Sequence, residues 1–185
     1  TEKETRENII IVDESTNSQY RFGMPANALS EGEWKKCLAA VEAMDQVNFL
    51  VVSGSIPPGV PLNLFKELSA LANMKKARLV VDTSGPALKE AVKHGVYMLK
   101  PNLGELSTLA GTSRIDINMA EETARAVIDK YGCGAIVVSM GKDGAMLVTR
   151  EGSFSVKSPD VPRKSTVGAG DSMVAGIIYS LVNGN

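Results

Sequence analysis

The chain is poor in the side chains that carry redox, metal and hydrolytic chemistry. Among 185 residues it has one histidine, His94, and two cysteines, Cys37 and Cys133. The cysteines stand far apart and in no metal-ligand or redox spacing, which argues against a disulfide scaffold or a structural zinc site. Both are expected to be buried free thiols in a reducing cytosol. One histidine and no Gly-x-Ser-x-Gly elbow leave no basis for a Ser-His-Asp hydrolase. His94, just before Gly95, reads instead as a residue at a helix end. No Gly-x-x-x-x-Gly-Lys-Ser/Thr is present, so a Walker-type nucleotide site is excluded. No Gly-x-Gly-x-x-Gly follows a strand, which weighs against a dinucleotide oxidoreductase. No apolar run approaches the ~20 residues of a membrane span, and the opening residues carry no signal-peptide pattern. Twenty basic against 21 acidic residues give a net charge of −1. Neither nucleic acid nor an anionic membrane is therefore an expected partner. The chain begins at Thr1 and stops at Asn185 behind an apolar helical run, and reads as a piece of a longer cytoplasmic protein.

What is present is an alternation of strands and helices. Asn8–Asp13 and Gln19–Phe22 are β-rich runs around a polar turn and read as a hairpin. Ser30 with Glu33 is a capping box opening a helix with Trp34, Leu38 and Val41 on one face. Strands are expected at Phe49–Val52, Arg78–Val81, Tyr97–Lys100 and Ala135–Ser139. Helices are expected at Leu62–Met74, Pro86–Lys93 and Leu103–Ala110, and from an Asn118/Glu121 cap to Tyr131. Such repeats predict a mainly parallel sheet with helices on both faces, a three-layer α/β/α fold of Rossmann-like type. Ala145–Thr149 and Ser153–Lys157 break the pattern as an edge hairpin, and a last helix runs from about Ala169 to Val182. No linker interrupts the chain, so residues 1–185 read as one domain, incomplete, from which the first hairpin projects.

Ligands of an open parallel sheet bind beyond the carboxyl ends of its strands. Three such loops hold informative residues. In Val167-Gly168-Ala169-Gly170-Asp171, the glycines free the backbone to turn its N–H groups toward one point. The helix start adds about half a positive charge there. That arrangement suits a phosphoryl group in transfer, with Asp171 placed to accept the proton of an attacking hydroxyl. It equally suits a plain glycine turn with Asp171 as a stabilising helix-terminal charge, and this loop alone does not separate the two. Ser139-Met140-Gly141-Lys142-Asp143-Gly144 would let a nucleotide approach closely, or is a simple turn. In Lys100-Pro101-Asn102-Leu103-Gly104-Glu105, Asn102 and Glu105 share one face of a helix turn and suit hydrated Mg²⁺. Lys100 could neutralise a phosphate. A capping box explains the same pair.

Taken together and in this order, the three loops resemble the ribokinase-like sugar kinases. Ser53-Gly54-Ser55-Ile56-Pro57-Pro58-Gly59-Val60 and Thr5-Arg6-Glu7-Asn8 are similar to the phosphofructokinase branch of that family. The resemblance covers nearly the whole chain. It implies ATP-dependent phosphorylation of a ketohexose phosphate, most simply fructose 6-phosphate, with tagatose 6-phosphate or fructose 1-phosphate as alternatives. A non-catalytic nucleotide-binding homologue is the rival from another class. By matching position, the resemblance makes Asp171 the catalytic base and Gly168, Ala169 and Gly170 the anion hole. It assigns Lys100, Ser139, Gly141 and Gly144 to the nucleotide, Arg6 and Ser55 to the sugar phosphate, and Asn102 and Glu105 to Mg²⁺ through water. Residues 5–24 would form part of a β lid that pairs two subunits as a homodimer. The family's amino-terminal strand, with its sugar-binding aspartate, and the helices near the adenine have no counterpart in these residues.

Overall fold

The computed structural model describes residues 3–16, 18–161 and 165–184. Two sheets are present. Strands β1 (Asn8–Asp13) and β2 (Ser18–Gly23) form an antiparallel pair of their own. The second sheet has six strands in chain order: β3 (Phe49–Ser53), β4 (Arg78–Asp82), β5 (Met98–Leu99), β6 (Ala135–Ser139), β7 (Ala145–Thr149) and β8 (Ser153–Val156). The first four run parallel, and β7 and β8 return antiparallel at one edge. Helices α1 (Glu31–Glu42), α2 (Leu64–Met74), α3 (Gly85–Ala91), α4 (Leu103–Ala110) and α5 (Ala120–Tyr131) connect the strands, and α6 (Ala169–Val182) follows them.

Strand pleating divides the core in two. Leu79, Val81, Leu99, Ile136 and Val138 meet Phe65, Leu88, Leu106 and Ile128 from α2, α3, α4 and α5. The alternating residues Val80, Met98, Ala135 and Val137 point the other way and meet Val174 of α6. Met173, Ile177 and Ile178 flank that second contact. Helices thus cover both faces, as the alternation predicts. Strands β4 and β6 are apolar throughout their interior because both their faces are covered. Edge strand β3 is less enclosed, and Val51 remains 42% exposed. Each fully buried Phe, Leu or Ile here contributes about 1.5–3 kcal/mol.

Several local expectations need correction. The helix entering α5 is not capped by Asn118 and Glu121. The Asp116 side chain accepts the N–H groups of Asn118 and Met119, opening a 3₁₀ turn over Ile117–Met119 that leads into α5. Glu121 is engaged instead by Arg125, one helical turn on. The strand expected over Tyr97–Lys100 is in register with its neighbours at Met98 and Leu99, while the Tyr97 and Lys100 N–H groups still donate to Leu79 O and Val81 O of β4. Cys133 is buried, and burial pushes its thiol up to about 11, but Cys37 is exposed on α1. His94 closes a 3₁₀ turn (Val92–His94) that ends at left-handed Gly95, and its Nε2 lies 3.0 Å from Glu90 Oε1. Among the described residues, no helix is long and apolar enough to cross a membrane.

Candidate active site

The carboxyl ends of β3, β4 and β5 bring Ser53, Asp82 and Lys100 to the same edge of the sheet, where α6 begins. Ser53 Oγ donates to Asp171 Oδ1 at 3.0 Å, joining residues 118 apart in sequence. Behind them Lys100 Nζ lies 3.2 Å from Asp82 Oδ1, with side chains only 8% and 17% exposed. A Cβ added to Gly170 would stand 3.3 Å from Lys100 Nζ, so a bare glycine lets the helix start settle against the ammonium. Gly168 has φ 74°, a left-handed conformation that favours glycine, and no side chain caps α6. The outcome is a helix start whose leading amides have no side-chain acceptor among the described residues, with a buried cation beneath it. Both features favour an anion at this point.

A cleft of about 230 Å³ opens over this edge, lined by Ser53–Ser55, Asp82–Ser84, Glu105 and Asp171. Its walls are tied by backbone: the Gly54 N–H donates to Asp82 O at 2.9 Å, and Thr83 Oγ1 donates to Gly54 O at 2.7 Å. Asn102 and Glu105 do form a reciprocal capping box. The Glu105 N–H donates to Asn102 Oδ1 at 2.9 Å, and the Asn102 N–H donates to Glu105 Oε2 at 2.8 Å. Among the described residues no three His, Cys, Asp or Glu side chains stand close enough to chelate an ion directly. Glu105 nevertheless lines the cleft, and the cap engages its Oε2. This donor set fits an ion that keeps most of its waters, which is how Mg²⁺ is usually held.

The Ser139–Gly144 loop is held largely by its own structure. The Ser139 N–H donates to Pro101 O at 2.9 Å, and the Met140 N–H to Gly144 O at 2.9 Å. Gly144 is required by packing, since a Cβ there would collide with the Val156 carbonyl oxygen of β8. Gly141, with φ 61°, has open space where its Cβ would be.

Arg6 and Ser55, paired by sequence expectation, come together: Arg6 Nη1 donates to Ser55 Oγ at 3.4 Å. They line a second hollow of about 220 Å³ with Lys3, Asn27 and Leu29. Ser55 also lines the cleft that holds Asp171, so the two hollows meet at this serine. Sequence reasoning missed Ser53 and Asp82. The strand-end rule, applied to β3 and β4 as it was to β5, would have named both.

The layered sheet with this connectivity is that of the ribokinase-like kinases, and solved structures share it. The tetrameric inhibited form of phosphofructokinase-2 from Escherichia coli superposes with a TM-score of 0.88 at 37% identity, over 97% of this chain and 59% of that one. The family model described as pfkB family carbohydrate kinase matches residues 1–185, and the chain belongs to that family. Among curated relatives, the ATP-dependent 6-phosphofructokinase isozyme 2 of Escherichia coli (strain K12) is 37% identical over 178 residues, 96% of this chain and 58% of its own length. A 1-phosphofructokinase of Rhodobacter capsulatus is 35% identical over 182 residues, 97% of this chain and 57% of its own length. The chain therefore spans somewhat more than half the length of the relatives it matches.

Proposed function

We propose that the intact protein transfers the γ-phosphoryl group of ATP to a ketohexose phosphate, most simply fructose 6-phosphate, giving fructose 1,6-bisphosphate and ADP. The observation that carries this reading is Asp171 at the mouth of an uncapped helix start, with Lys100 directly beneath. In the proposed step the free hydroxyl oxygen forms a bond to the γ-phosphorus as the bond to the bridging oxygen of ADP breaks. The hydroxyl proton passes to the Asp171 carboxylate, and Ser53 holds that carboxylate in place. The amides at Gly168–Gly170 and the Lys100 ammonium face the charge that spreads over the transferring oxygens. Asn102 and Glu105 would hold hydrated Mg²⁺, which neutralises the nucleotide phosphates when bound. ATP would lie on the side of Ser139 and Gly141.

Arg6, beside Ser55, presents a forked donor suited to the phosphate already on the sugar. Ile9, Ile11, Tyr20 and Phe22 share one face of the first hairpin and are about half exposed, which supports its pairing with a second copy as a homodimer. A panel of fructose 6-phosphate, fructose 1-phosphate and tagatose 6-phosphate, assayed by ADP release from the full-length protein, tests the reading. Fructose 6-phosphate should show the highest kcat/KM, and no sugar-dependent release with any of the three would overturn the proposal. Arg6→Ala should raise the KM for the sugar phosphate by about 10-fold or more with that for ATP unchanged, since hydrogen bonds to charged groups are the strong ones.

A further inference from the structure

The first hairpin touches the glycine turn at one residue that neither sequence reasoning nor the proposed step uses. Gln19 of β2 is half-buried, and its Oε1 accepts the Thr166 N–H at 3.3 Å and the Ser165 hydroxyl at 3.4 Å. These partners lead straight into the turn. Ser165 Oγ accepts the Val167 N–H at 3.1 Å, and Thr166 O accepts the Ala169 N–H at 3.4 Å. Gln19 is thus one hydrogen bond removed, by two routes, from the backbone flanking Gly168. Its partner across the hairpin is Val12, and Arg21 lies on the same strand face two residues along. The hairpin's opposite face carries the exposed Ile11 and Tyr20, so Gln19 faces the Ser165–Thr166 segment while those residues face away.

We propose that Gln19 is a positioning residue: its side-chain carbonyl fixes the Ser165–Thr166 segment, so that hairpin position and the orientation of the Gly168–Gly170 amides are set together. The inference rests on the phosphoryl-transfer reading of those amides. A turn that pivots on Gly168 has little stiffness of its own, since glycine leaves both signs of φ open. An external acceptor on the segment just before it supplies what the turn lacks. The tie also gives the hairpin a way to act on the step of bond transfer rather than on sugar binding alone. A transition-state contact that loosens lowers kcat, whereas a ground-state contact that loosens raises KM.

Gln19→Met in the full-length protein keeps the side-chain length and removes the acceptor. With two modest hydrogen bonds lost, kcat should fall by about tenfold at an unchanged KM for ATP. Amide exchange in the ligand-free protein should speed by a similar factor at Thr166 and Val167. Ser165→Ala combined with Gln19→Met should do less damage than the product of the two single effects, because the pair shares one contact. A Gln19→Met variant with normal kcat and a raised KM for the sugar phosphate would make Gln19 a docking contact only and overturn the inference. Unchanged exchange at Thr166 and Val167 would overturn it too. Exchange needs no turnover, so it decides the tie even if no sugar phosphate proves to be a substrate, in which case the functional reading alone has failed.

Discussion

Helices α4 and α6 both begin at the carboxyl edge of the sheet, and both begin with residues that sequence reading assigns to chemistry, yet their ends are built oppositely. At α4 the Asn102 and Glu105 side chains turn back on the backbone and satisfy the amides of each other's residue. At α6 no described side chain caps the helix, Gly168 takes the left-handed conformation, and Asp171 turns to Ser53. The first end is closed and self-sufficient. The second is open to an anion: no described side chain caps its amides, and the Lys100 ammonium beneath them, though paired with Asp82, adds positive charge there. A helix start becomes a binding site only when the chain declines to cap it.

That contrast can be broken or sharpened by substitution. The largest expected effect is at the open end. Asp171→Asn in the full-length protein should lower kcat by ~10²–10⁴-fold, the usual loss of a general base, while ATP binding measured calorimetrically stays near its starting value. Near-normal turnover would reduce α6 to an ordinary helix. Next comes the cation beneath it. Asp82→Asn leaves Lys100 buried beside a neutral group, and breaking a pair so enclosed should cost about 2–3 kcal/mol in urea unfolding, toward the low end because Asp82 keeps some exposure. No loss of stability would show that water replaces the carboxylate. At the closed end Asn102→Ala should cost about 1 kcal/mol of stability through the lost cap. The smallest effect is expected for Glu105→Gln, a few tenths of a kcal/mol in stability. It should also raise the Mg²⁺ concentration for half-maximal rate, and an unchanged Mg²⁺ titration would leave Glu105 a cap and nothing more.

Much of this architecture was legible from residue pattern. The runs at Asn8–Asp13, Ala135–Ser139 and Ala169–Val182 are the strands and helix expected, because each carries an unbroken apolar period bounded by a turn residue. The helix reaching Tyr131 is present as expected, but its start differs from the expected Asn118/Glu121 cap. Asp116, two residues earlier, accepts the Asn118 and Met119 amides and opens a 3₁₀ turn ahead of the helix. At Gly144 the structure adds a packing constraint, the passage of β8 against its missing side chain, that sequence spacing could not reveal. Ser53 and Asp82 stand at strand ends that the same rule picks out, but the sequence does not show their partners. Their meaning depends on α6 and on β5 arriving beside them from 118 and 18 residues away respectively.

The unequal burial of the two thiols has a practical consequence. A thiol held near 11 and shut inside the core is almost never a thiolate, so an alkylating reagent at neutral pH meets Cys133 only when the sheet and α5 part. Cys37 on the surface of α1 reacts without any such event. One molecule therefore carries both a clock and its reference. The pace of alkylation at Cys133, divided by that at Cys37, reads how often the native core opens, with no introduced label and no denaturant.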